Sequence, residues 1–281
     1  FCFSMTAPLS YPFAAPPDPG CSQEVAPHLL WIRMPLPFAL DHINLWALSG
    51  QTGWTIVDTG LGSSLTQSHW EQLLSTSLVG QGVEQIVVTH FHPDHLGSAR
   101  WLHERTGAPI WMNPLEMQVA QALWDEQPLF SPKDVAQHFR RHGLPEAMAQ
   151  ALEDSGNRYR RGIAGLPKDF QPLLPQQTLK MGDDSWETIA GYGHSPEHLS
   201  LYCAERKILI AGDMVLPRIS TNIGVWPNAP DANPLGAFLE SLTRLALLPE
   251  DTLVLPSHGL PFYGLRQRVE ALKAHHQERL E

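Results

Sequence analysis

Cysteine is scarce in this chain: Cys2, Cys21 and Cys203 are the three among 281 residues. They are odd in number, widely spaced and form no Cys-x-x-Cys pair, so neither a disulfide framework nor a cysteine zinc site is suggested. Cytoplasmic residence is the expectation. Long apolar runs are also missing, and nothing approaches the roughly 20 residues of a bilayer-spanning helix, so no membrane is expected. The first residues carry neither a basic start nor a long apolar stretch and are not read as a secretory leader. Positive charge is short as well, with 19 Lys and Arg against 29 Asp and Glu and a formal net charge of −10. A nucleic-acid partner would want a basic stripe to replace phosphate counterions. The nearest approach to one is Arg158, Arg160 and Arg161, a short cluster that reads as a solvated helix face. What the chain does have is 43% hydrophobic residues, enough for one domain with a large core.

It also has a dense patch of metal-capable side chains. Residues 89–97 read Thr-His-Phe-His-Pro-Asp-His-Leu-Gly, placing His90, His92, Asp94 and His95 within six positions. Imidazole and carboxylate suit borderline divalent ions such as zinc. The apolar run 86–88 predicts a strand ending at His90, leaving a turn in which alternate side chains converge. Asp94 and His95 then open a helix and point from its first turn towards the same spot.

Four further motifs follow the same logic of a polar residue at a strand end: Asp58-Thr59-Gly60, Gly193-His194-Ser195-Pro196, Ala211-Gly212-Asp213 and Ser257-His258-Gly259. Together with His-x-His-x-Asp-His, they resemble the metallo-β-lactamase superfamily over about residues 28–262. The resemblance implies an α/β fold, the four-layer αββα sandwich, holding two divalent metal ions. His90, His92 and His194 would ligate one, Asp94, His95 and His258 the other, and Asp213 would bridge both. Nitrogen-rich ligation favours zinc, with iron or manganese open. Such a pair can share a hydroxide near neutral pH and polarise the oxygen of a bond under attack, which makes Asp94 and Asp213 the candidate catalytic carboxylates. Asp58 would hold the free ring nitrogen of a ligating histidine, and His198 would pack beneath the site.

Asp213 discriminates within the superfamily. Its β-lactamases generally place cysteine or no bridging ligand there, whereas thioesterases of the glyoxalase II type, lactonases, phosphodiesterases and tRNA-processing nucleases use the aspartate. The expected activity is hydrolysis of a small-molecule ester, lactone or thioester. A phosphodiesterase or nuclease on the same metals is the alternative, and it predicts a basic substrate surface that the composition does not offer. A mononuclear iron dioxygenase of persulfides is a third reading. His42 and Arg218 are the candidate substrate contacts, and the remaining histidines read as surface residues. A homodimer is compatible with the sequence.

Proline and alanine mark residues 1–27 as an extended N-terminal arm ahead of a domain spanning 28–281. Strands are predicted at 28–34, 43–48, 54–58, 85–89 and 109–112, with helices at 64–75 and 96–106. The second half predicts strands at 178–181, 186–190, 199–203, 207–211 and 252–255, and helices at 234–247 and from 265. Between His95 and His194 lie 98 residues, more than compact lactonase-like members use. The surplus is a helical insert at about 114–175, with patterns at 115–124, 132–142 and 145–160. No ligand falls inside it, so it is expected to cap the cleft, shape the substrate pocket and leave the metals alone. Met117, Leu123, Trp124, Leu129, Phe130, Phe139, Met148 and Tyr159 are its candidate pocket residues.

Overall fold

The computed structural model describes residues 8–280. The first sheet runs in chain order: β1 Ser22–Ala26, β2 Leu29–Pro35, β3 His42–Ser49, β4 Trp54–Val57, β5 Val83–Val88, β6 Ile110–Met112 and β7 Gln171–Pro172. The second is ordered β12 (Leu253–Pro256), β11 (Ile208–Gly212), β10 (His198–Cys203), β9 (Asp184–Gly191), β8 (Thr178–Met181). Pairing turns parallel at β4–β5–β6–β7 and at β11–β12. Helices α1 Ser64–Ser75, α2 Pro93–Leu96, α3 Ala99–Thr106 and α4 Pro114–Trp124 belong to the first half. Helices α5 Pro132–Arg141, α6 Glu146–Asp154 and α7 Arg158–Gly162 follow, then α8 Pro234–Leu245 and α9 Leu265–Leu280.

Strand side chains alternate in direction, and here both directions are apolar. In β5, Ile86 and Val88 join a core with Trp70 of α1 and Leu102 of α3, while Val87 turns to a second core. That second core lies between the sheets, where Trp31, Trp46 and Leu48 meet Met181, Trp186, Leu199 and Leu201. In β11, Ile208 and Ile210 enter this middle core, while Leu209 and Ala211 face Phe238 and Leu242 of α8 and Val269 of α9. Three cores stacked in this way give four layers, helices outside two face-to-face sheets. The strands read as unbroken apolar runs because they are covered on both faces.

Several boundaries differ from expectation. The first seven residues of the expected arm lie outside the described residues, and residues 22–26 are a sheet strand, β1, hydrogen-bonded to β2. The arm therefore ends earlier than residue 27. The single helix expected over 96–106 is broken, because the Ser98 N–H bonds to Gly60 O (3.0 Å) and its hydroxyl to Leu61 O (2.8 Å). The run 145–160 splits at Gly156, whose φ of +61° is a left-handed value, and Asn157 recaps the chain by accepting from the Arg160 N–H.

No helix of the described residues is long and apolar enough to cross a membrane.

Candidate metal centre

The polar residues that close β4, β5, β11 and β12 lie at one end of the two sheets, and the β9–β10 turn brings His194 to the same place. Backbone bonds lock this end: Leu199 N–H to Thr89 O (3.0 Å), Ser257 N–H to Gly212 O (3.1 Å) and Asn44 N–H to Ser257 O (2.7 Å). All seven expected ligands converge. His90, His92, His194 and Asp213 form one group and Asp94, His95 and His258 another, the ligand atoms of each group lying within 4.8 Å of one another.

Asp213 stands between the groups. Its Oδ2 lies 3.2 Å from His194 Nε2 and 3.9 Å from His90 Nε2, while its Oδ1 lies 3.4 Å from His258 Nε2 and 3.6 Å from His95 Nε2. Asp94 Oδ2 is 3.5 Å from His258 Nε2 and 3.8 Å from His95 Nε2.

Tautomers are set from behind. His194 Nδ1 donates to Asn222 O and His258 Nδ1 to His42 O, each at 2.8 Å. His95 Nδ1 donates to Asp58 Oδ2 at 2.8 Å, and the Thr89 N–H and hydroxyl fix that carboxylate. With Nδ1 donating, each Nε2 is the ring atom turned towards the centre. His90 Nε2 then faces His92 Nδ1 at 2.9 Å and His194 Nε2 at 3.2 Å. Lone pairs so close repel unless protons or a cation lie between them. Two buried atoms aimed inward, His95 Nε2 and Asp213 Oδ1, have no hydrogen-bond partner. A donor set of imidazole and carboxylate with orphaned atoms pointing at a common centre fits divalent metal ions.

Electrostatics divide the set: burial would lower His95 and His194, but Asp58, Asp94 and Asp213 hold His95 well above the usual imidazole range and Asp213 holds His194 above it. Burial, reinforced by neighbouring histidines, holds His90 and His92 well below the usual imidazole range, so both offer neutral nitrogen. Burial would raise the Asp213 carboxyl, but His258 and His95 outweigh it and hold it well below the usual carboxylate range. Burial also takes His198 down to about 3. Its Nε2 accepts the Asp213 N–H at 3.2 Å and its ring lies under His90, the supporting place expected. Gly212 is required there: its φ is +56° and a Cβ would sit 2.2 Å from His198 Nε2.

The two expected substrate contacts are placed otherwise. His42 has both ring nitrogens engaged, Nδ1 with Asp41 (2.5 Å) and Nε2 with the Gly259 N–H (3.0 Å). With its carbonyl on His258, it holds the His258 loop and has no atom left for substrate. Arg218 is exposed and does not line the cleft. Its loop contributes through Thr221, whose hydroxyl donates to Asp213 O at 2.6 Å, and through Asn222.

Glu116 of α4 was not anticipated. It is fully buried and accepts the Phe91 N–H (3.0 Å), the Ser195 hydroxyl (2.7 Å) and the Glu197 N–H (2.7 Å). Phe91 lies between two ligands and Ser195 follows a third, so one carboxylate clamps both loops of the first group. Burial nevertheless pushes its pKa up. The Tyr159 hydroxyl adds a bond to Phe91 O at 2.7 Å. Residues 114–175 supply no ligand, yet through Glu116 and Tyr159 they brace the loops that carry His90, His92 and His194. An acidic residue in a helix's first turn is too ordinary to announce such a role.

A cleft of about 1070 Å³ opens on His92, Asp94 and His194. Leu123, Leu129, Phe130 and Tyr159 line it, as do Leu36, Phe38 and Leu40 after β2 and residues 224–229, 232–234 and Ala237 after β11. Of the other candidate pocket residues, Met117 is in the core, Trp124 packs against it, Met148 points to solvent and Phe139 stacks edge-on against Trp226. His138, read as a surface residue, is buried and bonds Val225 O at 3.1 Å, tying α5 to the opposite wall.

The family model described as the metallo-beta-lactamase superfamily matches residues 39–258. A solved β-lactamase domain protein from Burkholderia ambifaria superposes with a TM-score of 0.89 at 44% identity, over 97% of this chain and 79% of that one. The "Probable metallo-hydrolase YqjP" of Bacillus subtilis (strain 168) is 26% identical over 245 residues, 85% of this chain and 74% of that protein. A hydroxyacylglutathione hydrolase of Rhodobacter capsulatus is 24% identical over 229 residues, 80% of this chain and 64% of that protein. The chain belongs to the metallo-beta-lactamase superfamily, and it is a metal-dependent hydrolase.

Proposed function

We propose that this hydrolase is dinuclear and that it cleaves a carboxylic ester, lactone or thioester with a large apolar acyl portion. The observation that supports two ions is Asp213, each of whose oxygens faces a different ligand group. His90, His92 and His194 would hold one ion and Asp94, His95 and His258 the other. Zinc suits this nitrogen-rich set. When bound, the pair supplies a water that ionises near neutral pH and Lewis-acid polarisation of the carbonyl.

The chain's own residues do the rest. Asp213 fixes the spacing of the two groups, and Asp58 and Asn222 keep the imidazoles oriented with Nε2 inward. Asp94 is partly exposed on the cleft wall, where it is placed to accept the proton of an attacking water. The cleft walls choose the substrate. Phe38, Leu129 and Trp226 remain 55%, 49% and 43% exposed around it, and large apolar side chains kept open beside a polar centre mark a binding surface. Among the described residues Asp94 is the one acid and Arg158 and Arg161 are the arginines lining it, far from the continuous basic track a nucleic acid needs.

A panel of octanoyl and acetyl thioesters and esters, a lactone, a β-lactam and bis(p-nitrophenyl) phosphate tests the reading. Octanoyl substrates should exceed acetyl ones about ten- to hundredfold in kcat/KM, since each buried apolar contact contributes roughly 1–3 kcal/mol of discrimination. Faster turnover of the phosphodiester than of every acyl substrate would overturn it.

A further inference from the structure

The chain carries ten more acidic than basic groups, yet the cleft concentrates unneutralised positive charge on one wall. Arg158 and Arg161 line it, and among the described residues neither has a carboxylate within ion-pair distance. The other arginines near the cleft behave differently. Arg140 is paired with Glu146 and Glu153, and Arg160 lies over the Trp124 ring, 5.6 Å from its centroid. Arg161 has one bond, Nη1 to the Ser155 carbonyl at 2.7 Å, and Arg158 makes no side-chain hydrogen bond among the described residues.

The two arginines stand on a fixed platform. Between them, the Tyr159 hydroxyl bonds Phe91 O in the metal turn. Gly162 O accepts the Gly62 N–H at 2.8 Å, and the Ala164 N–H bonds Gly97 O at 2.8 Å. Gly162 packs so closely on the metal turn that a Cβ there would lie 2.6 Å from Pro93. α7 is thus pinned to the loop that carries His92 and Asp94, and the fold sets where the Arg158 and Arg161 backbones stand relative to the metal centre. An arrangement of metal centre, apolar wall and two arginines without carboxylate partners suits a molecule with a scissile carbonyl, an apolar chain and an anion.

We propose that Arg158 and Arg161 form an anion subsite, so that the substrate is an acyl ester or thioester whose leaving group bears a carboxylate or phosphate. This rests on the hydrolase reading above and narrows it to amphiphilic substrates. Guanidinium groups present planar, paired N–H donors that match either oxyanion. The scissile carbonyl sits at the metal centre, the acyl chain lies along Leu123, Phe130 and Trp226, and the anion stays at the wetter rim. Water adds to the carbonyl carbon, the C–O or C–S bond breaks, and the leaving group departs with the proton as alcohol or thiol beside an acid product.

The test uses the metal-loaded protein and three S-octanoyl thioesters. They are those of N-acetylcysteamine, which is neutral, of 3-mercaptopropionate, which adds a carboxylate, and of coenzyme A, which adds phosphates. At least one anionic thioester should exceed the neutral one about tenfold in kcat/KM, mainly through KM, and the advantage should shrink with added salt. Which one gains tells a carboxylate subsite from a phosphate subsite. In R158Q/R161Q the ratio should fall to near one. R158Q alone, which disturbs no hydrogen bond, should lower it several-fold, and it stands in if the double variant folds poorly. Equal rates on neutral and anionic thioesters, or a ratio untouched by these variants, would overturn the subsite. Thioether analogues of the same compounds, measured by calorimetry, separate the two claims. Tenfold tighter, arginine-dependent binding of an anionic thioether without turnover of any thioester would keep the subsite and sink the hydrolase reading. Equal binding of all three thioethers would sink the subsite.

Discussion

Replacing Asp213 with alanine should lower kcat/KM for the acyl substrate by about a hundred- to a thousandfold. Each of its oxygens faces a separate ligand group, so its loss removes the one side chain common to both. Loss of an electrostatic element of this kind typically costs about 3–4 kcal/mol of transition-state stabilisation. The fold should tolerate the change. The backbone around Asp213 is held independently of the carboxylate, by the β11–β12 pairing, by its own N–H to His198 and by its carbonyl to Thr221. Without Asp213 the buried His95 and His194 lose a carboxylate that raises them and can turn neutral, which limits the cost of leaving a buried charge unpaired. Circular dichroism should therefore remain near wild type while metal content falls. An Asp213→Ala protein retaining activity within about tenfold of wild type would show that the carboxylate does not bridge.

The second large effect belongs to Glu116, which touches no expected ligand directly. Glu116→Ala leaves the Phe91 N–H, the Ser195 hydroxyl and the Glu197 N–H without their acceptor in a buried place. A buried donor left unpaired costs about 1–3 kcal/mol, and here the loosened segments carry His90, His92 and His194. Metal affinity should fall about ten- to hundredfold, the usual range when a group that orients ligands is lost. Chelator competition would measure it. Glu116→Gln should fall between, because one amide oxygen can still accept from Ser195 and Glu197 while its NH2 meets the Phe91 N–H. Wild-type metal affinity in Glu116→Ala would reduce Glu116 to a packing residue.

The contrast between these two residues explains what was legible in the sequence. Asp213 sits in a Gly-Asp pair at the end of an apolar run, and the other ligands sit in equally local contexts. The strand ends that converge at the centre were readable because the chemistry is written in short motifs. The four layers came only through the family resemblance that those motifs carry; the structure adds the physical reason, runs such as Ile208–Gly212 that are apolar throughout because both faces are covered. Glu116 gave no signal, because what distinguishes it is the company it keeps 25 and 79 positions away. β1 was hidden in the same way. Its side chains are polar or half-buried at a sheet edge, so no alternation marks it. The break at Gly97–Ser98 depends on bonds to Gly60 and Leu61, and the retirement of His42 from substrate contact depends on Gly259. The cleft arginines looked like a solvated helix face, and only the docking of α7 on the metal turn distinguishes them from one.

The central claim is that two metal ions share one site around Asp213. Elemental analysis of the purified chain, loaded in turn with zinc, manganese or ferrous iron and assayed on an octanoyl thioester, tests it most directly. The seven converging ligand positions predict about two ions per chain and hydrolysis that appears only as the second is taken up. A single iron per chain, no thioester turnover, and dioxygen consumption with a persulfide would contradict it.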